Sequence, residues 1–488
     1  MDDKSLPTMP ALIMEESGLV TAAKPLHNFG RNLTIRPTAY YEPADEGEVL
    51  TILERHRGEQ IRAVGRLHSW SEAPSGEGVV LNLKHLQQVQ LHRANDSLTA
   101  SVGAGCQIKT LLEHLKQHGA TLPSVGLISE QAIAGAISTA THGSGRNSLS
   151  HYVEAIRVAR YDAATGAAVI EILDSCDAIR AARCSLGCLG IILSVTMRCR
   201  ERYMIEEHLR DHATLESVLA AESDYPLQQF FFNPWSWTYL AQHRREVSQP
   251  RSRLAGLYRL YWFLTIDLGL HLLILAPLRL CHFRILRFLL RHVVPRSVIR
   301  GWKVTDDSAA ALVMEHELFR HIETELFVTR QHLPAALEYI QKILTVAGRA
   351  STEIPDLQLD TTEKALLEAL RGQYGHHYPI CVRRVLGDDA MISMTSDRNQ
   401  DSYAISLISY ARPQERQGFM QTMEFLTKTM SRRFGARPHW GKFCPLPPED
   451  LVALYPQFAQ FQAVCDRADP VGVFRNRWLK QLFSRATN

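Results

Sequence analysis

His68 stands in the stretch "VGRLHSWS", after Gly65 and before Ser69 and Ser71. The runs on either side, "QIRAVG" and "GVVLNL", have the apolar, β-branched texture of strands. The histidine is therefore predicted on a loop between two strands, where side chains are presented for chemistry more often than for packing. An imidazole nitrogen is a nucleophile at neutral pH. With 21 histidines in the chain, a plain surface histidine is the competing reading, and only neighbouring residues can decide.

A second segment, "SEQAIAGAISTATHGSGRNS" from Ser129 to Ser148, gathers small residues, hydroxyls and glycines. Small side chains let backbone N–H groups approach an anion, and Thr139, Thr141 and Ser144 can donate to phosphate oxygens. The Lys-Ser/Thr ending of a nucleoside-triphosphate loop is missing, so a pyrophosphate cradle without metal fits better. A tight glycine-rich turn is the alternative. "SVGAG" at Ser101–Gly105 has Ile108 where a dinucleotide loop needs its third glycine, which argues against nicotinamide binding.

These segments need elements to hold them. The 488 residues exceed one core, so two or three domains are expected. Residues 1–26 read as an irregular lead. Residues 27–205 alternate strands such as "LTASVGAG" and "AIRVARYD" with helices such as "QIKTLLEHLKQHGATLP", which implies an α+β layered domain. Residues 206–488 change texture, to longer strands ("ELFVTR", "SYAISLISYA") and amphipathic helices ("PAALEYIQKIL", "FMQTMEFLTKTM"). The tail 435–488 carries Trp440, Trp478 and several prolines.

The net charge of +3 gives no broad basic field, so nucleic acid is not an expected partner. The nine cysteines show no zinc-site spacing and no C-x-x-C pair, and read as free thiols in a reducing compartment. The acidic start "MDDKSLPTMP" argues against a cleaved export signal and for the cytoplasmic side. One stretch stands apart, Leu257 to Leu290. Asp267, His271, Pro277 and Arg279 interrupt its apolar run, and Arg279, Arg284, Arg287 and Arg291 recur at rough helical spacing. A helix lying in a membrane surface fits better than a span. A buried hairpin or an oligomer contact remains equally open, because periodicity cannot tell lipid from protein.

Taken together, the chain resembles the FAD-linked sugar-1,4-lactone oxidases: L-gulonolactone oxidase, D-arabinono-1,4-lactone oxidase and alditol oxidase, within the vanillyl-alcohol-oxidase (PCMH-type) fold group. The resemblance runs from His27 to Phe483. It rests on "VGRLHSWS", "AIAGAISTATHGSG", "SLGCLGIILSVTMRC", "RRFGARPHWGKFCPL" and "DPVGVFRNRWL". It implies a PCMH-type FAD-binding domain followed by a substrate domain, an antiparallel sheet flanked by helices. It implies FAD joined covalently to His68 in the turn of Gly65, Arg66, Leu67, Ser69 and Ser71. A second flavin segment would run through Ser129, Gly135, Thr139, Thr141, His142 and Gly143. Gly190 and Ile192 would lie against the adenine end, and His439 would reach the ring. Lys442 is the implied catalytic group that stabilises negative charge on the reduced flavin. The implied reaction is hydride removal from a carbon bearing a hydroxyl, with oxygen or another electron acceptor taking the electrons.

The chain departs from that pattern at three places. Arg66 and Leu67 stand where small residues are usual. In "YPICVRRVLGDD" Arg383 holds the family's arginine, a second catalytic candidate, but Cys381 replaces its glutamate. The positions of a further polar pair are Ser406 and Ile408. Cys381 and Ser406 are thus the expected substrate-pocket residues, in a pocket less suited to a polyol. Besides a sugar lactone, an apolar alcohol or lipid-linked sugar, handled by a membrane-associated flavin dehydrogenase, stays open. So does a flavin-holding scaffold without turnover.

Overall fold

The strand Ile322–Thr329 reads IETELFVT, and its two faces differ in chemistry. Successive side chains of a strand point to opposite faces. Ile322, Leu326 and Val328 pack on one side into a core shared with Phe230, Phe232, Val382, Ile405 and Leu407. Glu323 and Glu325 point to the other. The same alternation runs through the neighbouring strands, so one face of a sheet is dry and the other polar. In the computed structural model, which describes residues 24–484 apart from 95–96, 281–282, 315–317, 352 and 399, this sheet has eight antiparallel strands. Their order is Val304–Asp307, Met204–His212, Thr238–Val247, Gln229–Asn233, Ile380–Val385, Ser402–Ser409, Ile322–Thr329, Arg437–Pro438. Residues 1–23 of the irregular lead lie outside the described residues.

Two helices cover the dry face. Leu333–Ala347 and Gln417–Phe434 turn Leu337, Ile340, Leu344, Phe419, Met423 and Leu426 onto it. Each fully buried side chain of this kind contributes about 1.5–3 kcal/mol.

The first unit has two smaller sheets. One is parallel, with Val79–Asn82 between Ala39–Tyr41 and Ile61–Val64. The other is antiparallel, in the order Ala168–Leu173, Val153–Tyr161, Ile191–Arg198, Ser97–Gly103, Val89–Ala94. The helices Glu46–Arg55 and Ile108–Gln117 bury Val49, Ile52, Leu53, Leu111, Leu112 and Leu115 in this core. The tail, set apart in sequence at 435–488, returns to the first unit: Leu451, Tyr455, Phe458, Phe461, Phe474 and Leu479 pack into its core.

The stretch after Arg253 forms a helical hairpin against the polar side of the large sheet. Ala255–Arg279 is one continuous helix with a π-helical middle, Phe263–Leu270. It is followed by Phe283–Phe288 and its extension to Ser297.

Candidate active site

A cleft in the first unit is lined by three segments: Arg62–Trp70, Ala132–Thr139 and Leu186–Ile192. Arg62 ties the first of them to the third and to the C-terminal tail. Its buried guanidinium donates to Leu186 O at 2.8 Å, to Ala73 O at 2.6 Å and to Phe474 O. The backbone turns sharply where these segments meet the cleft. Leu67 and Leu186 both have φ of +53°, and Gly190 has +127°. A left-handed non-glycine residue costs roughly 1–2 kcal/mol, and such strain collects where a loop is shaped for binding. Arg66-Leu67 thus keeps the tight turn that small residues would make without strain. Gly135 leaves the opposite wall bare: a Cβ added there meets nothing within 4 Å.

His68 sits on the rim of this cleft, stacked on Phe29 at 5.0 Å between ring centroids. Burial pushes its pKa down to about 4, against the opposing pull of Glu130, so the ring is neutral at pH 7. Next to it, Trp70 is buried and anchored at both ends. Its backbone N donates to Gly441 O at 2.9 Å and its indole to His321 O at 2.8 Å.

Gly441 belongs to the turn "HWGK", which comes from far along the chain. The helix Gln417–Phe434 ends at Gly435 in the left-handed conformation, with φ of +58°, which reverses the chain. Arg437–Pro438 then adds an edge strand beside Ile322–Thr329. His439 N donates to Glu325 O at 2.9 Å and Phe443 N to Glu323 O at 2.8 Å, clamping the turn. Lys442 is ion-paired with Glu323, and its ammonium stands 4.7 Å from the Trp70 ring centroid. Trp440 points away into the core, bonded to Ile392 O and stacked on Tyr455.

A second cavity, of about 410 Å³, lies between the polar face of the large sheet and the hairpin. His439 and Lys442 line both spaces, so the two meet at this turn. Its floor is a row of residues in register across strands: Phe231, Cys381, Ser406 and Glu325. Ser406 donates to Glu325 at 2.7 Å. Arg383 is held by Gln229 at 3.0 Å and lies 3.8 Å from Glu325. Gln229 continues through Gln242 to Glu207, which also pairs with Arg244. Burial keeps the Cys381 thiol protonated by raising its pKa, so it is no base.

Glu325 is the electrostatic centre of this floor. Burial alone would raise its pKa, but the contact and hydrogen bond with His142, helped by nearby Lys442 and His439, outweigh that and hold it well below the usual carboxylate range. His142 Nδ1 donates to Gly143 O at 3.0 Å, and its Nε2 lies 3.3 Å from Glu325. His439 accepts from Gly441 N at 2.9 Å, and burial pushes its pKa down to about 3. His142, Glu325 and His439 have the donor types of a metal site, within 4.8 Å of one another. Each already has a hydrogen-bond partner: His142 and Glu325 have each other, and His439 has Gly441 N.

Of the residues singled out in sequence, Gly65, Arg66, Leu67, His68, Ser69, Gly135, Thr139, Gly190 and Ile192 line the first cleft, with His439 and Lys442 at its end. Thr141 and His142 line the second cavity instead, with Arg383, Cys381 and Ser406. Ser71, Ser129 and Gly143 line neither. Ser71 bonds to Ser69, the Ser129 carbonyl accepts from Lys109 N, and Gly143 packs so closely that a Cβ would lie 2.5 Å from Val125 O. Sequence reading missed Glu323, Glu325, Gln229 and Arg62. Two glutamates alternating with Ile322, Thr324 and Leu326 in the strand IETELFVT were the available signal.

The first cleft fits FAD. A bare glycine wall, strained backbone turns and a neutral histidine on the rim suit a long, anionic, partly planar ligand. A family model described as FAD binding domain matches residues 37–168, and one described as D-arabinono-1,4-lactone oxidase matches residues 195–482. A long-chain alcohol oxidase from an uncultured marine euryarchaeote is 55% identical, over 93% of this chain and 96% of its own. The L-gulonolactone oxidase of Mus musculus is 26% identical, over 93% and 97%. Cholesterol oxidase from B. sterolicum shares the fold, with a TM-score of 0.74 over 98% of this chain and 99% of its own, at 14% identity.

Proposed function

The chain belongs to the D-arabinono-1,4-lactone oxidase family and is an FAD-dependent oxidoreductase; on that premise we propose that it oxidises the hydroxyl carbon of a long-chain, apolar alcohol. The observation that carries this reading is the make-up of the second cavity. Polar groups gather on the sheet floor near Lys442, while Leu260, Phe263, Ile266, Phe319 and Ile408 supply apolar walls. A long-chain alcohol has one polar group to satisfy and a tail to bury. A sugar lactone has several hydroxyls, each costly to bury without a partner. The 55% identical long-chain alcohol oxidase supports the same reading.

Bound FAD supplies the hydride acceptor. The chain's own residues do the rest. Arg383, fixed by Gln229, holds the substrate oxygen. Glu325 takes the place of the glutamate missing at Cys381, two strands further across the floor, and receives the hydroxyl proton through Ser406. Lys442 stabilises negative charge that appears at the junction of the two spaces. The neutral His68 is the point of covalent attachment. Oxygen or another acceptor then takes the electrons.

Anaerobic bleaching of the flavin tests the reading. Dodecanol should bleach it faster than L-gulono-1,4-lactone or D-arabinono-1,4-lactone at equal concentration. Faster bleaching by either lactone would overturn it. Admission of air afterwards, against addition of a soluble quinone, identifies the acceptor.

A further inference from the structure

Among the described residues, ten of the fifteen exposed large apolar side chains lie between positions 254 and 299. Along the long helix and its two caps they recur at helical spacing: Leu254, Leu257, Leu260, Leu264, Leu272 and Leu280. Ile285, Phe288 and Val293 extend the patch onto the second arm. Water-exposed apolar surface of this extent marks an interaction site. The opposite face of the long helix, with Tyr258, Asp267, Leu270, His271 and Ile274, is buried against the protein. A helix of 25 residues, with mean hydropathy 1.6 over an 18-residue stretch, has the length and composition to cross a membrane. One face on protein and the other bare is instead the arrangement of a helix lying in an interface.

The rim of the patch is cationic. Between positions 251 and 300 the chain has nine arginines and one acidic residue, the buried Asp267. Arg253, Arg279, Arg284, Arg291 and Arg296 are exposed and have no ion-pair partner among the described residues. Leu260 and Leu318 line the substrate cavity and are also 52% and 46% exposed, so the cavity reaches the surface at the edge of the apolar patch.

We propose that this hairpin seats the enzyme on an anionic lipid bilayer and that the cavity opens into that bilayer, so its alcohol substrate enters from lipid. Apolar side chains sink into the acyl boundary while the arginines meet anionic headgroups. The seating stands on the hairpin alone. The route of entry rests on the alcohol reading above.

The test uses the full-length, FAD-loaded protein and sedimentation with two kinds of vesicle, phosphatidylcholine alone and phosphatidylcholine with phosphatidylglycerol. Wild type should bind the anionic vesicles at least tenfold more tightly than the neutral ones. Leu264→Asp with Phe288→Asp, both at exposed positions, should keep FAD and lose at least tenfold in vesicle affinity. Each of Arg284→Glu and Arg291→Glu should lose about fivefold or more, the worth of roughly 1 kcal/mol per basic residue at an anionic surface. Equal sedimentation of wild type and the aspartate variant, or none with anionic vesicles, overturns the seating. So does a dimer in solution that the aspartate substitutions dissociate, since the patch would then bind a second copy. For entry, dodecanol in vesicles should be oxidised at least tenfold more slowly by the aspartate variant, with a short soluble alcohol unaffected. An equal slowing of both overturns entry from lipid. Vesicle binding without oxidation of any alcohol would sink the substrate reading while the seating stands.

Discussion

Ser406 and Glu325 face each other across neighbouring strands, and the serine hydroxyl donates to the carboxylate at 2.7 Å. Cys381 stands on the other side of Ser406 in the same row. The carboxylate that strand 380–385 lacks is therefore present on this face, two strands away and one hydroxyl removed.

Glu325→Gln keeps the shape of this contact and removes the charge. Flavin reduction by the alcohol should slow by roughly 10²–10⁴-fold, the usual worth of a positioned proton acceptor. FAD loading should be unchanged, because Glu325 does not line the first cleft. Adding Cys381→Glu to this variant should recover part of the rate. Stopped-flow reduction reads both, and a wild-type rate in the single variant removes Glu325 from the reaction.

Lys442→Met should lower the reduction rate by about two to three orders of magnitude, typical of losing one preorganised electrostatic contact. Arg383→Ala should weaken substrate binding as well as the rate, since in the role proposed for it the guanidinium would hold the oxygen in ground and transition states alike. Both proteins should still carry flavin. Unchanged single-turnover kinetics in the lysine variant would mean the Glu323–Lys442 pair is structural only.

Acid precipitation of wild type should leave yellow flavin in the pellet, and His68→Ala should release it to the supernatant. Leu67→Gly should raise stability by about 1 kcal/mol by relieving the left-handed φ of +53°. Urea unfolding measures that change. A lower midpoint would show that the Leu67 side chain contributes more than its backbone strain costs.

His377 is locked neutral by geometry. Nδ1 donates to Gly375 O at 3.0 Å and Nε2 accepts from Tyr410 N at 2.9 Å. Burial pushes its pKa down to about 4, and that of His376 to about 3. The unfolded chain therefore binds protons first. Stability should be full above about pH 6.5 and fall as pH drops toward 4, at about 1.4 kcal/mol per pH unit for each such histidine. Denaturation midpoints between pH 7 and 4 check this, and His377→Gln should flatten the slope.

Dialysis against a chelator should leave flavin reduction unchanged. His142 is bonded to Glu325, and His439 Nδ1 is taken by Gly441 N. A loss of rate restored by one divalent metal would reassign the cluster.

Much of this site was legible from local pattern. The turn holding His68 and the small-residue segment with Gly135 and Thr139 are short runs that residue type and spacing single out, while the roles of His68, Arg383 and Lys442 came through the family resemblance. Strand alternation was enough to place Cys381 and Arg383 on one face. The helices were readable for the same reason, since an amphipathic period of 3.6 is a local property.

What only the tertiary structure decided is which distant segments meet. Register between strands set Glu325 beside Ser406 and Cys381, and register depends on packing across the whole sheet rather than on any one strand. Reversal at Gly435 brought Lys442 to Glu323, and helix packing returned the tail to the first core. The hairpin shows the limit most plainly. Its sequence carries an apolar stripe and its arginines, but whether the stripe is buried is a property of the finished surface. In the folded chain the inner face lines the cavity, the outer face is bare, and Leu260 belongs to both.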